Sequence, residues 1–151
     1  MVSEMMIIGV GNAFRGDDGV GLVVAQRLRE VVLPGVIVLE QSGEGAALVE
    51  AWADADRVII IDAVSSGNDP GTIHRFDVAG QPLPAYLAGG SSHAFGLAEA
   101  VELARQLDRL PPHLIIYGIE GKAYDLASGL SPEVAEAAEI LVERLAQELN
   151  E

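Results

Sequence analysis

The chain has 151 residues, half of them apolar and 21% charged, with a formal net charge of −14 and no cysteine. That length and balance describe one domain, residues 1–151, with a well-filled core. The acidic excess opposes binding to nucleic acid or to an anionic membrane surface, and the lack of cysteine excludes disulfides, thiolate metal sites and cysteine nucleophiles.

Met5 to Val10 reads as a short buried strand that runs into the turn Gly9-Val10-Gly11-Asn12. Asp18 to Val32 has helical spacing, with Leu22, Val23, Leu28 and Val31 able to share a face, and Pro34-Gly35 ends it. Val36 to Glu40 is a second strand and Ala46 to Ala53 a short helix. Arg57 to Asp62 is the clearest buried strand, with Val58-Ile59-Ile60-Ile61 unbroken. Asn68-Asp69-Pro70-Gly71 is a turn that leads into a β segment over 71–78. Residues 81–92 form a loop, Ala94 to Leu107 a helix and His113 to Ile119 a last strand. Ser131-Pro132-Glu133 supplies a cap, a first-turn proline and a dipole-compatible acid for the final helix.

Strands alternate with helices, and the central strands are apolar throughout. The predicted fold is therefore α/β: a mostly parallel, twisted sheet sandwiched by helices on both faces. Sites in such sheets form beyond the carboxyl ends of the strands. The acids after the first strand and Asp62 at the end of the third fall on that edge. The apolar stretches are too short or too interrupted to span a bilayer. The N-terminal residues lack a basic, signal-like segment, so the expected location is cytoplasmic.

The segment Gly9 to Gly21 opens like a dinucleotide fingerprint, but Phe14 stands where a third glycine belongs. Its tail is more unusual, with two adjacent acids between glycines at a helix start. Asp17 is expected to cap that helix, while Asp18 either favours its dipole or turns toward a cleft. Asp62 follows three isoleucines. A carboxylate there needs backbone amides, a cation or a proton. His93 stands at the junction of loop and helix, as a surface residue near a cap or as a ligand. His74 and His113 are read as structural. Two carboxylates and one imidazole suit a divalent first-row metal with positions left open for water or substrate.

In order and spacing, these segments resemble the nickel–iron hydrogenase maturation endopeptidases over nearly the whole chain. The resemblance rests on Gly9-x-Gly11-Asn12, four residues and then Asp17-Asp18-x-x-Gly21; on the apolar strand ending in Asp62-Ala63; and on the Ser91-Ser92-His93 loop ahead of Gly96-Leu97. It implies metal ligation and catalysis by Asp18, Asp62 and His93. It also implies removal of a C-terminal peptide from the hydrogenase large-subunit precursor, with nickel carried in by that substrate. The family often has an Asp-Gly-Gly-Thr-like segment after the second strand. Here the segment is Gln41-Ser42-Gly43-Glu44-Gly45, and substrate specificity is expected to diverge there. The other readings are a non-catalytic nickel-binding maturation chaperone and a hydrolase of the peptidyl-tRNA hydrolase or nucleotide-linked kind. The acidic balance argues against the RNA-directed version, and so does the absence of that family's second histidine.

Overall fold

The computed structural model describes residues 5–31, 34–78, 97–125 and 129–150. In chain order these form β1 (Met5–Val10), a 3-10 turn (Gly16–Gly19), α1 (Val20–Val31), β2 (Val36–Gln41), α2 (Gly45–Ala51), β3 (Arg57–Val64), β4 (Ile73–Asp77), α3 (Leu97–Gln106), β5 (His113–Glu120) and α4 (Pro132–Leu149). The five-stranded sheet has the order β2-β1-β3-β5-β4. All neighbours are parallel except β4, which runs antiparallel to β5 on one edge. The mostly parallel sheet expected from the apolar strands is therefore present.

Side chains alternate across the sheet and build two cores. Met6, Ile8, Val58, Ile60, Leu114 and Ile116 pack with Leu48 and Trp52 of the α2 region and Val101 of α3. Ile7, Ile59, Ile61, Tyr117 and Ile119 pack with Val24 and Leu28 of α1 and Leu141 of α4. Burial on both faces explains why the strands read as continuous apolar runs rather than as alternating ones.

The glycines of the first motif serve close packing. A Cβ on Gly21 would come within 2.2 Å of the Ile61 carbonyl oxygen and 2.4 Å of that of Val10. One on Gly9 would come within 2.3 Å of the Gly21 carbonyl oxygen. The start of α1 thus rests directly on β1 and β3, which draws the turn between β1 and α1 over the end of β3.

Two of the boundaries that differ from expectation lie at the site. The helix anticipated from Asp18 begins at Val20, and both acids lie in the preceding 3-10 turn. Gly16 enters that turn with φ 54°, in the left-handed region that glycine tolerates. Asp62 is not the last residue of its strand. The ladder continues to Val64 because β5 supplies partners, pairing Asp62 with Gly118 and Val64 with Glu120.

Candidate functional site

Asp18 and Asp62 are both buried, at 7% and 8% relative exposure. Asp62 follows Val58 and Ile60 on the face covered by α2 and α3. Its Oδ1 accepts a hydrogen bond from the Ala63 amide at 2.8 Å. Burial first, and then the negative charge of Asp18, push the Asp62 carboxyl well above its usual range, and the Ala63 bond only partly offsets them. The structure therefore brings together two acids 44 positions apart in the sequence, close enough for each charge to be felt by the other. The main chain of Asp18 is held on both sides: its amide donates to the Arg15 carbonyl at 3.0 Å, and its carbonyl accepts from the Asn12 amide at 3.2 Å.

Asp17 does not cap the helix that follows it. The 3-10 turn has Arg15 at its cap position and no side-chain capping bond. The fully buried Asp17 carboxylate instead reaches across to the chain after β5. Oδ2 accepts from the Lys122 amide (2.7 Å), the Ala123 amide (2.9 Å) and the Ser131 hydroxyl (2.8 Å), and Oδ1 accepts from the Ser131 amide (2.7 Å). Burial alone would raise this group, but the bonds from Ser131, Ala123 and Lys122 outweigh it and hold the carboxyl below its usual value. Ser131 occupies the expected cap position of α4, yet its hydroxyl serves Asp17 rather than the helix.

A further acid at this edge was not singled out from the sequence. Glu120 is 2% exposed and closes β5. It accepts from the Ser66 amide at 2.8 Å and the Ser66 hydroxyl at 2.5 Å, and it lies 3.2 Å from Nε2 of His74. The available signal was the same one that marked Asp62: an acid ending an apolar strand, here Leu114-Ile115-Ile116-Tyr117-Gly118-Ile119-Glu120. The Tyr124 hydroxyl donates to the Val64 carbonyl at 3.3 Å. Burial, with the charges of Asp17, Glu120, Asp18 and Asp62, pushes that phenol up to about 12. Glu44, in the divergent segment after β2, caps α2 by accepting from the amides of Ala46 (3.0 Å) and Ala47 (2.9 Å).

His93 lies outside the described residues. Among the described residues, no group of three or more His, Asp or Glu side chains is arranged to hold a metal ion. Of the three residues singled out from the sequence, Asp18 and Asp62 lie within electrostatic reach of each other. His74 bonds to Glu120, and His113 is an exposed strand-entry residue.

The fold and the paired acids define an α/β protein with a buried carboxylate site at the carboxyl edge of a mainly parallel sheet. The family model described as hydrogenase maturation protease matches residues 23–148. A putative hydrogenase maturation protease of Methanocaldococcus jannaschii is 30% identical, with 97% of each chain covered. The maturating endopeptidase HybD of Escherichia coli superposes with a TM-score of 0.82 at 26% identity, over 97% of this chain and 91% of that one. The maturation protease HycI of Thermococcus kodakarensis superposes at 0.78 and 27% identity, over 99% and 94%. The chain belongs to the hydrogenase maturation protease family, whose members are hydrolases acting on peptides. Among the described residues, no helix is long and apolar enough to cross a membrane.

Proposed function

We propose that this chain is a cytoplasmic endopeptidase that removes a C-terminal peptide from the nickel-loaded precursor of a nickel–iron hydrogenase large subunit. Asp18, Asp62 and His93 complete the coordination of nickel that the precursor carries. The observation that carries the reading is the juxtaposition of Asp18 and Asp62. Two buried carboxylates cannot both ionise cheaply side by side, and a divalent cation between them removes the conflict. His93 precedes the buried Leu97 of α3 by four residues, and α3 packs on the same sheet face as the strand residues leading to Asp62.

In this reading the metal polarises the scissile carbonyl or an attacking water. A carboxylate at the site would accept the proton released by that water and pass it to the leaving amine. Nickel is thus part of the substrate, and cleavage depends on its prior insertion.

The test incubates the protein with unprocessed large subunit, nickel-loaded or nickel-free, and weighs the product by mass spectrometry. Loss of the C-terminal peptide is expected from the loaded precursor only. Nickel binding without cleavage would instead make the chain a maturation chaperone. Full cleavage by both Asp18→Ala and His93→Ala would remove the trio from the mechanism.

A further inference from the structure

Asp17 and Asp18 are sequence neighbours with different surroundings. Among the described residues, the Asp17 carboxylate accepts from four donors, three main-chain amides and one hydroxyl, all from residues 105 to 114 positions further along the chain. Its own amide donates to the Ala123 carbonyl at 2.8 Å, so main chain and side chain both grip the segment after β5. The pocket is also tight, because a Cβ on Gly121 would come within 3.2 Å of the Asp17 Cβ. Four converging donors require an occupant that accepts on both oxygens. A carboxylate does so, whereas an amide of the same shape must turn its NH2 toward at least one donor. Such a cluster holds a backbone segment firmly, and the segment it holds is the turn that carries Asp18.

We propose that Asp17 is a positioning residue. By locking the 3-10 turn to Lys122, Ala123 and Ser131, it fixes the direction in which Asp18 presents its carboxylate beside Asp62. The inference rests on the reading of Asp18 and Asp62 as metal-contacting groups. It explains the adjacent acid pair as one acid that anchors and one that binds.

The test compares the wild type, Asp17→Asn, Ser131→Ala and the core control Val142→Ala. The measurements are calorimetric titration with Ni(II), thermal unfolding and amide hydrogen exchange. Loss of a group that orients a metal ligand weakens affinity by about 10–100-fold. That loss is expected for Asp17→Asn, with faster exchange confined to residues 15–18 and 122–124 while β3 stays protected. Ser131→Ala removes one of the four donors, and a smaller change of the same kind is expected. Val142→Ala lowers the melting temperature without changing nickel affinity.

A folded Asp17→Asn protein with wild-type affinity overturns the proposal. So does a loss of affinity in Val142→Ala proportionate to its loss of stability, because that would make the role of Asp17 purely structural. If Asp17→Asn does not fold, Ser131→Ala decides on the same readouts. If the wild type itself binds no free nickel, the titration is silent and the functional reading is judged by cleavage of the nickel-loaded precursor. The exchange pattern alone then decides whether Asp17 holds the turn, and unchanged exchange at residues 15–18 overturns the proposal.

Discussion

His74 Nε2 lies 3.2 Å from Glu120 Oε1, joining the antiparallel edge strand β4 to the end of β5. Ser66, from the connection between β3 and β4, completes the arrangement by donating its amide and its hydroxyl to the same carboxylate. Burial raises the Glu120 carboxyl, but the bonds from Ser66 and His74 outweigh it and leave the group below the 4.5 usual for a free glutamate. A depressed carboxyl stabilises the fold above its unfolded value, and that contribution is lost as pH falls through the folded value. Glu120→Gln is therefore expected to be less stable than the wild type by about 1–3 kcal/mol near neutrality. The gap should close as the pH drops below 4.5. Urea denaturation followed by fluorescence measures it, since Trp52 is the single tryptophan and is fully buried. A gap that persists at low pH would show that shape, not charge, accounts for the loss.

Tyr124 is held protonated by burial and by four surrounding carboxylates, with its phenol pushed up to about 12. Ultraviolet titration should show the Tyr124 phenol ionising late. Tyr124→Phe should abolish that late phase and lose the bond to the Val64 carbonyl, at a cost of about 1 kcal/mol. Persistence of the late phase in the variant would assign it to another tyrosine.

Gly21 allows α1 to rest on two strand carbonyls, and both atoms that a Cβ would meet belong to the backbone. Backbone cannot swing aside as a flexible side chain can. Gly21→Ala should therefore destabilise the fold by about 1–3 kcal/mol and displace the start of α1 from β3. Unchanged denaturation midpoints would mean that the helix shifts without penalty.

The alternation of strands and helices, the buried run before Asp62 and the cap position at Ser131 could all be read from the sequence, because each depends on local composition and periodicity. The direction of β4 could not. The turn at Asn68–Gly71 announces a reversal, but nothing local says that the returning strand pairs with β5 rather than with β3. The partners of Asp17 were hidden for the same reason: a carboxylate between glycines at a helix start looks like a cap until the chain more than a hundred residues later folds against it. Asp62 was visible because three isoleucines precede it. Glu120 carries the same signature, weakened by Tyr117 and Gly118 within its run. His93 came from the resemblance and its loop position, and it lies outside the described residues.

Asp62→Asn separates the cost of the site from its use. Burial and the Asp18 charge push the Asp62 carboxyl well above the 3.8 usual for a free aspartate. At a pH below that value the group is protonated in both the folded and the unfolded chain and contributes nothing. As the pH rises past it, the unfolded carboxyl ionises while the folded one keeps its proton. The metal-free wild type then loses stability at up to about 1.4 kcal/mol per pH unit until the folded group ionises too. Asparagine never ionises, and its side-chain oxygen can keep the bond from the Ala63 amide. Metal-free Asp62→Asn should therefore match the wild type at acid pH and become progressively more stable than it toward neutrality. The same variant should bind Ni(II) more weakly, because an amide replaces an anionic donor. Denaturation midpoints of the two proteins across that pH range, paired with nickel titrations, test both halves. A stability difference that does not change with pH would mean that Asp62 ionises freely in the folded protein. The conflict with Asp18 would then be absent, and with it the main argument for a cation between them.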